Sequence, residues 1–261
     1  MENIIIRPLT ELSEFIEAIE VQKQAWNRDD YSLIPPTMFK SFSKNGGCVI
    51  GALTQGDGKP EKVIGYVIGF LSISKTKILY HHSQQVAVLP EYQQLGIAYK
   101  LKLAQKEYVR QNYNVEVMTW TVDPLLSKNA FLNFHKLGTI GRIYWVNYYG
   151  SREDNLNSGL ETDRIEVEYW FSEEQQSFIS NARSNIPNEF NCYDYSESGS
   201  YPELNIKDQS FVGVVIPRDL VELKKKNIEI AKNYILGASY GFVDLDLYES
   251  KETFVTLMYR W

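Results

Sequence analysis

The chain has 261 residues, 33 acidic against 27 basic, for a formal charge of -6, and 44% of it is hydrophobic. That length allows one large or two small domains with an ample core, and the acidic balance argues against nucleic acid or an anionic membrane as the main partner. Cys48 and Cys192 form neither a metal-like spacing nor a disulfide framework, which fits a reducing compartment and excludes a cysteine metal site. The opening residues MENIIIRPLTELSEF do not read as a signal peptide, and no run approaches the ~18 apolar residues of a membrane span, so the expectation is a cytoplasmic protein.

In chain order, NIIIRPL reads as a first strand, and Thr10 as the cap of a helix whose apolar face is Leu12, Phe15, Ile16 and Ile19. After Pro35 and Pro36, TMFKSFSKNGG is a short helix closed by Gly46 and Gly47. CVIGALT and KVIGYVIGFLSI are two strands joined by the turn-rich QGDGKPE, which makes a hairpin. ILYHHSQQVAV (78–88) is strand-like, and beyond it Ile97, Leu101, Ala104 and Tyr108 recur at helical spacing. Lys100, Lys102, Gln105, Lys106 and Arg110 take the other positions of that helix. A strand, VEVMTWTVDP (115–124), a short helix, LLSKNAFLNFHKLG (125–138), and a strand-like WVNYYG follow. SREDNLNSGLETD, beyond Gly150, is an exposed loop or a boundary. DRIEVEYWF alternates like a strand, a helix follows near residues 173–183, and an irregular connection runs to about residue 208. SFVGVVIP is a strand, residues 218 to about 236 form an amphipathic helix, and ETFVTLMYRW is a last strand; Lys224, Lys225 and Lys226 read as a solvated face. Pattern alone supports a mixed α/β or α+β domain.

VAVLPEYQQLGIA (86–98) is the stretch that carries chemistry, a strand running into a glycine-containing turn that opens a helix. The first amides of a helix have no intrahelical acceptor and carry the positive end of its dipole, so a turn ending at Gly96 and Ala98 presents N–H donors to a phosphate. Val88, Pro90, Glu91, Tyr92, Gln93, Gly96 and Ala98 stand in the register of a Val-x-Pro-Glu-Tyr-Gln-x-x-Gly-x-Ala run, and Ala130, Phe134, Lys136, Leu137 and Gly138 match a second, Lys-Leu-Gly signature. With both in order, the chain over about residues 3–150 resembles the GNAT superfamily of acyl-CoA-dependent N-acyltransferases.

The resemblance implies a central mixed sheet, splayed in the middle and flanked by helices, in a catalytic domain of residues 1–150. Residues 151–261 would add an α+β segment of unknown role. It implies acetyl-CoA or another acyl-CoA as cosubstrate, with the pyrophosphate on Gln93, Gln94, Leu95, Gly96, Ile97 and Ala98, and no metal. The pantetheine arm would pair with the backbone of Val86 and Val88, and Asn129 or Ser127 would hold it from the other side. A general base is expected near the start of the central strand, where this chain has His81 and His82. Adjacent strand residues point to opposite faces, and His82 shares the parity of Val86 and Val88. The superfamily's frequent tyrosine acid is Phe134 here, which cannot give a proton; Tyr148 or Tyr149 would replace it. For the acceptor, Trp26, Tyr31, Trp120, Arg142 and Tyr144 are candidates.

Two classes of function follow. One is an enzyme moving an acyl group, acetyl first, to a primary amine of a small metabolite such as an amino acid, with a protein as the second choice of acceptor. The other is a CoA-binding sensor or interaction module. In either, the C-terminal segment is available as a homodimer contact or a cover for the acceptor cleft.

Overall fold

The structure is a computed structural model and describes residues 3–26, 33–56, 59–150, 162–184, 191–193, 211–216 and 254–259. The elements are β1 (Asn3–Pro8), α1 (Leu12–Trp26), α2 (Pro36–Lys44), β2 (Gly47–Gly56), β3 (Lys59–Ile73), β4 (Leu79–Val88), α3 (Ile97–Asn112) and β5 (Val117–Val122). Then come α4 (Ser127–Ala130), a π-helical stretch (Phe131–Leu137), β6 (Ile140–Trp145), β7 (Arg164–Trp170), α5 (Glu173–Ser184), β8 (Asn191–Tyr193), β9 (Phe211–Ile216) and β10 (Phe254–Tyr259). Strands β1 to β7 form one sheet in the order β1-β2-β3-β4-β5-β7-β6. Its β4–β5 pair is parallel, while β1–β2, β2–β3, β3–β4 and β6–β7 are antiparallel. A parallel neighbour needs a crossover, and α3 is that crossover. This is a mixed sheet flanked by helices, as expected. Strands β10, β9 and β8 make a separate parallel sheet.

By internal packing the chain divides into two units, residues 1–120 with 169–172, and residues 121–168 with 173–261. The core of the first is built on Leu9, Phe15, Phe39, Ile50, Tyr66, Ile68, Ile97 and Leu101, all under 3% exposed. Phe15, Phe39 and Tyr66 form a run of ring contacts at 6.1 and 5.2 Å that ties α1 and α2 to β3. In the second, β7 buries Ile165 and Val167 in strict alternation, and the Tyr144 hydroxyl donates to Asp163 at 2.6 Å.

Four expectations change. The buried face of α1 is Phe15, Ala18, Ile19, Val21 and Gln22, whereas Leu12 and Ile16 are more than half exposed. On α3, Lys102 and Gln105 do not sit on the outer face; both are buried with Leu101 and Val109. The helix expected over 125–138 is α-helical only at Ser127–Ala130 and then widens into the π-helical stretch. WVNYYG is not a strand beyond Trp145. Residues 146–149 form a turn because Asp163 and Thr162 capture its amides: Asn147 N–H donates to Asp163 Oδ1 at 2.8 Å, and Tyr149 N–H to Thr162 Oγ1 at 3.0 Å. Tyr31, the loop after Gly150 and the helix expected over 218–236 lie outside the described residues.

Candidate active site

At Val88 the backbone leaves the sheet, and Leu89 N–H still donates to Ile64 O at 2.9 Å. A single 3-10 turn over Pro90–Tyr92 follows; the Gln93 backbone N–H donates to Pro90 O at 3.2 Å, and its side-chain Nε2 donates back to Val88 O at 3.1 Å. Gln94 and Gly96 then take left-handed backbone angles, φ 67° and 75°. These two reversals aim the next amides outward. No side chain caps α3, and its first i to i+4 bond is Lys100 N–H to Gly96 O at 3.1 Å. The preceding helix amides have no intrahelical acceptor, which leaves a cluster of donors at the positive end of a 16-residue helix. Leu95 is exposed and Ile97 buried, so the turn is anchored on one side and open on the other.

Beside the turn, the β4–β5 ladder consists of two pairs, His81 with Met118 and His82 with Thr119. From Ser83 onward the described residues of β4 have no ladder partner on β5, so the strands fork there. Next to the fork β4 carries a bulge: Ile68 faces Gln85 but Gly69 faces Ser83, which makes Gln84 an extra residue. Bulges bend a strand and re-aim its side chains. This one reverses the parity argument for His82. Val88 shares the face of Ile97, because a Cβ on Gly65 would touch both. His82 points to the opposite face, with its ring 5.5 Å from Phe70, itself stacked at 5.2 Å on Phe42 of α2. His82 Nδ1 lies 3.2 Å from Thr119 Oγ1. Burial, with a smaller contribution from the Lys102 charge, pushes His82 down to about 4, so its imidazole is neutral at pH 7.

The sequence profile of the acetyltransferase (GNAT) family matches residues 12–139. Residues 12–139 belong to the GNAT acetyltransferases. Solved structures with the same fold include a NatC complex bound to Gag peptide and CoA, 16% identical with a TM-score of 0.52, matched over 66% of this chain and 100% of that one. Arabidopsis thaliana NAA60 in complex with acetyl-CoA is 15% identical with a TM-score of 0.52, over 65% and 99%. A GNAT-family acetyltransferase from Streptococcus pneumoniae is 13% identical with a TM-score of 0.51, over 65% and 100%. No curated protein matches the sequence. The match makes residues 12–139 an acetyltransferase (GNAT) domain.

Within the GNAT domain, His82, Val86, Val88 and residues 93–98 all belong to the first unit, with His82 on the face of β4 opposite to Val88. The other expected site residues belong to the second unit. Asn129 is exposed on α4, and its carbonyl accepts from Asn133 Nδ2 at 2.7 Å. Tyr148 is 45% exposed in the turn after β6, with its ring 5.6 Å from Trp145 and 4.7 Å from Tyr149. Arg142, an acceptor candidate, is ion-paired with Glu168 at 3.6 Å. Among the described residues no group of three His, Cys, Asp or Glu side chains could hold a metal ion.

One cluster of this GNAT domain was not legible as functional. Lys102 Nζ donates to Ser83 Oγ at 2.6 Å, and Ser83 Oγ donates to Gln105 Oε1 at 2.6 Å. Gln105 Nε2 lies 3.3 Å from His81 Nε2 and 3.5 Å from Cys48 Sγ. All five side chains are buried. Burial holds Lys102 well below the ordinary lysine range, lowers His81 to about 3 and raises Cys48 to about 11. The sequence carried one signal: Leu101, Gln105 and Val109 recur every fourth residue, which puts Gln105 on the apolar stripe.

Proposed function

We propose that this GNAT domain transfers an acyl group, acetyl first, from acyl-CoA to the primary amine of a small molecule such as an amino acid. The observation that carries the reading is the uncapped start of α3 at Gly96, beside a β4 edge without a ladder partner. A diphosphate needs several converging N–H donors, and residues 94–98 offer them with no acidic side chain in the first turn of α3. An arm with alternating amides and carbonyls needs an open strand edge, which Val86 and Val88 supply. In this reading His82 takes the proton of the attacking amine through water, Tyr148 gives one to the departing thiolate, and Asn129 steadies the arm. The division into residues 1–150 and 151–261, a homodimer contact in the latter and a cytoplasmic setting belong to the same proposal.

A second reading, a CoA-binding module without turnover, is favoured by Phe134 in place of a proton donor and by the low basicity of His82. One experiment separates them. Thiol release from acetyl-CoA is followed with amino acids, polyamines and short peptides bearing free N-termini, alongside calorimetry with CoA. Release with a small amine supports the proposal, and release with peptides alone moves the acceptor to a polypeptide. Binding without release on any amine favours the module, and no binding at all overturns both.

A further inference from the structure

We infer that Lys102 is a positioning residue of the acyl cleft, a rivet from α3 that fixes the fork between β4 and β5. The inference rests on the transferase reading above, because it concerns the geometry of that same cleft. The last ladder pair is His82 with Thr119. One step further along each strand stand Ser83 and Trp120, and Lys102 engages both. Its Nζ donates to Ser83 Oγ at 2.6 Å and lies 3.5 Å from the centre of the Trp120 ring. A single side chain thus bridges the first two residues at which the strands have parted.

Gln105, a turn further along α3, completes the rivet. It accepts from Ser83 and approaches His81, so α3 holds two successive inward-facing residues of β4. His82 lies between them and points the other way. Pinning Ser83 and His81 on one face therefore fixes the backbone that carries His82 on the other, and it fixes the approach to the bulge at Gln84. The same helix begins at the anion turn, five residues and about 7.5 Å of helix before Lys102. One rigid element then sets both where a diphosphate is held and where the strands fork.

The groups around the amine on its own face of the sheet are Cys48 on β2, His81 and Ser83 on β4, Gln105 on its own helix and Trp120 on β5, with His82 feeling its charge from the opposite face. No carboxylate balances it among the described residues. An uncharged amine can donate to Ser83 and rest against the indole, whereas a charged one would be desolvated with only a ring for compensation. A lysine kept at this cost without a counter-ion is poorly explained as packing alone, since a methionine would fill the same space.

The test is a double-mutant cycle of Lys102→Met and Ser83→Ala. It is read by kcat and KM for acetyl-CoA, by the Kd of CoA, and by amide hydrogen exchange at residues 83–85. Each single variant is expected to lower kcat about tenfold, and the double to lose no more than the worse single, because the two act as one unit. KM and the Kd of CoA should stay within about twofold, since the anion turn is untouched. Exchange at 83–85 should quicken by a similar factor in both. The inference is overturned by kcat unchanged in both singles, by multiplicative losses, or by CoA affinity falling in step with kcat. A wild type that binds CoA but acylates no amine sinks the transferase reading instead; unchanged exchange in both variants would then overturn the rivet separately. Should Lys102→Met not fold, Ser83→Ala with its exchange rates carries the test.

Discussion

A Cβ at Gly96 would meet no atom within 4 Å, so space does not keep this position a glycine; its φ of 75° does. A β-branched residue there is strained by about 1–3 kcal/mol and escapes only by turning the amides that begin α3. Gly96→Val should therefore weaken CoA binding about tenfold or more, with Gly96→Asn, which tolerates the left-handed region, much closer to wild type. Calorimetry reads both, and equal affinity of the Val variant would remove the turn from the site. His82 is constrained differently. With its value near 4, protonating the imidazole at pH 7 costs about 4 kcal/mol, so in the proposed transfer it would pass a proton on to water and not hold it. The acid limb of kcat/KM should then follow the amine pKa of whichever acceptor is used. A limb fixed near 6.5 for acceptors of different basicity would mean that His82 titrates normally. His82→Ala should lower kcat by about 10²-fold or more if it relays the proton.

Among the elements, β3 and β4 are held against α3 so closely that one strand glycine is obligatory. A Cβ on Gly69 would collide with His81 Nε2 and come within 2.6 Å of the His82 carbonyl, whereas on Gly65 it would come no nearer than 3.0 Å to anything. Because backbone cannot swing aside, Gly69→Ala should cost about 1–3 kcal/mol of unfolding free energy, and Gly65→Ala less. Chemical denaturation of the two variants checks the order. Element order was largely readable because hydrophobic period and glycine stops are local: α3 follows from Ile97 and Leu101, and the π-helical stretch after α4 ends at Gly138 as its sequence implies. The glycine turn that opens α3 was readable for the same reason, being a contiguous string. The bulge at Gln84 was not, since it exists only in the pairing with β3, and it overturned the parity argument for His82. Nor was the burial of Lys102, where a tertiary partner on β4 outweighs the preference of an ammonium for water. The turn over 146–149 required Thr162 and Asp163, distant in sequence, to claim its amides.

For the molecule as a whole, the buried lysine and histidines set how stability responds to pH. Burial holds Lys102 in the folded chain well below 10.5, so between its folded value and 10.5 the unfolded chain binds a proton that the folded chain refuses. Where the unfolded state holds more protons, stability rises with pH, by up to about 1.4 kcal/mol per pH unit per group. His81 and His82, lowered to about 3 and 4 from 6.5, add the same sign only below pH 6.5. The opposing group is Cys48. Raised from 9.0 to about 11, it keeps its proton in the fold when the unfolded chain has begun to lose one, so stability falls as pH rises past 9. Tyr113, raised to about 12, deepens that fall above pH 10. The first unit should therefore melt at rising temperature as pH climbs from 5 to 6.5, where both histidines act, and at falling temperature above about 10.5, where the lysine contribution is complete and Cys48 and Tyr113 still oppose; calorimetry at constant ionic strength follows the curve. Lys102→Met removes only the lysine contribution. It should lower the slope of the curve just below pH 10.5 while leaving the histidine-driven loss below 6.5 in place. A variant whose curve parallels wild type through that upper window would mean that Lys102 is charged in the folded protein, with a counter-ion or water beside it.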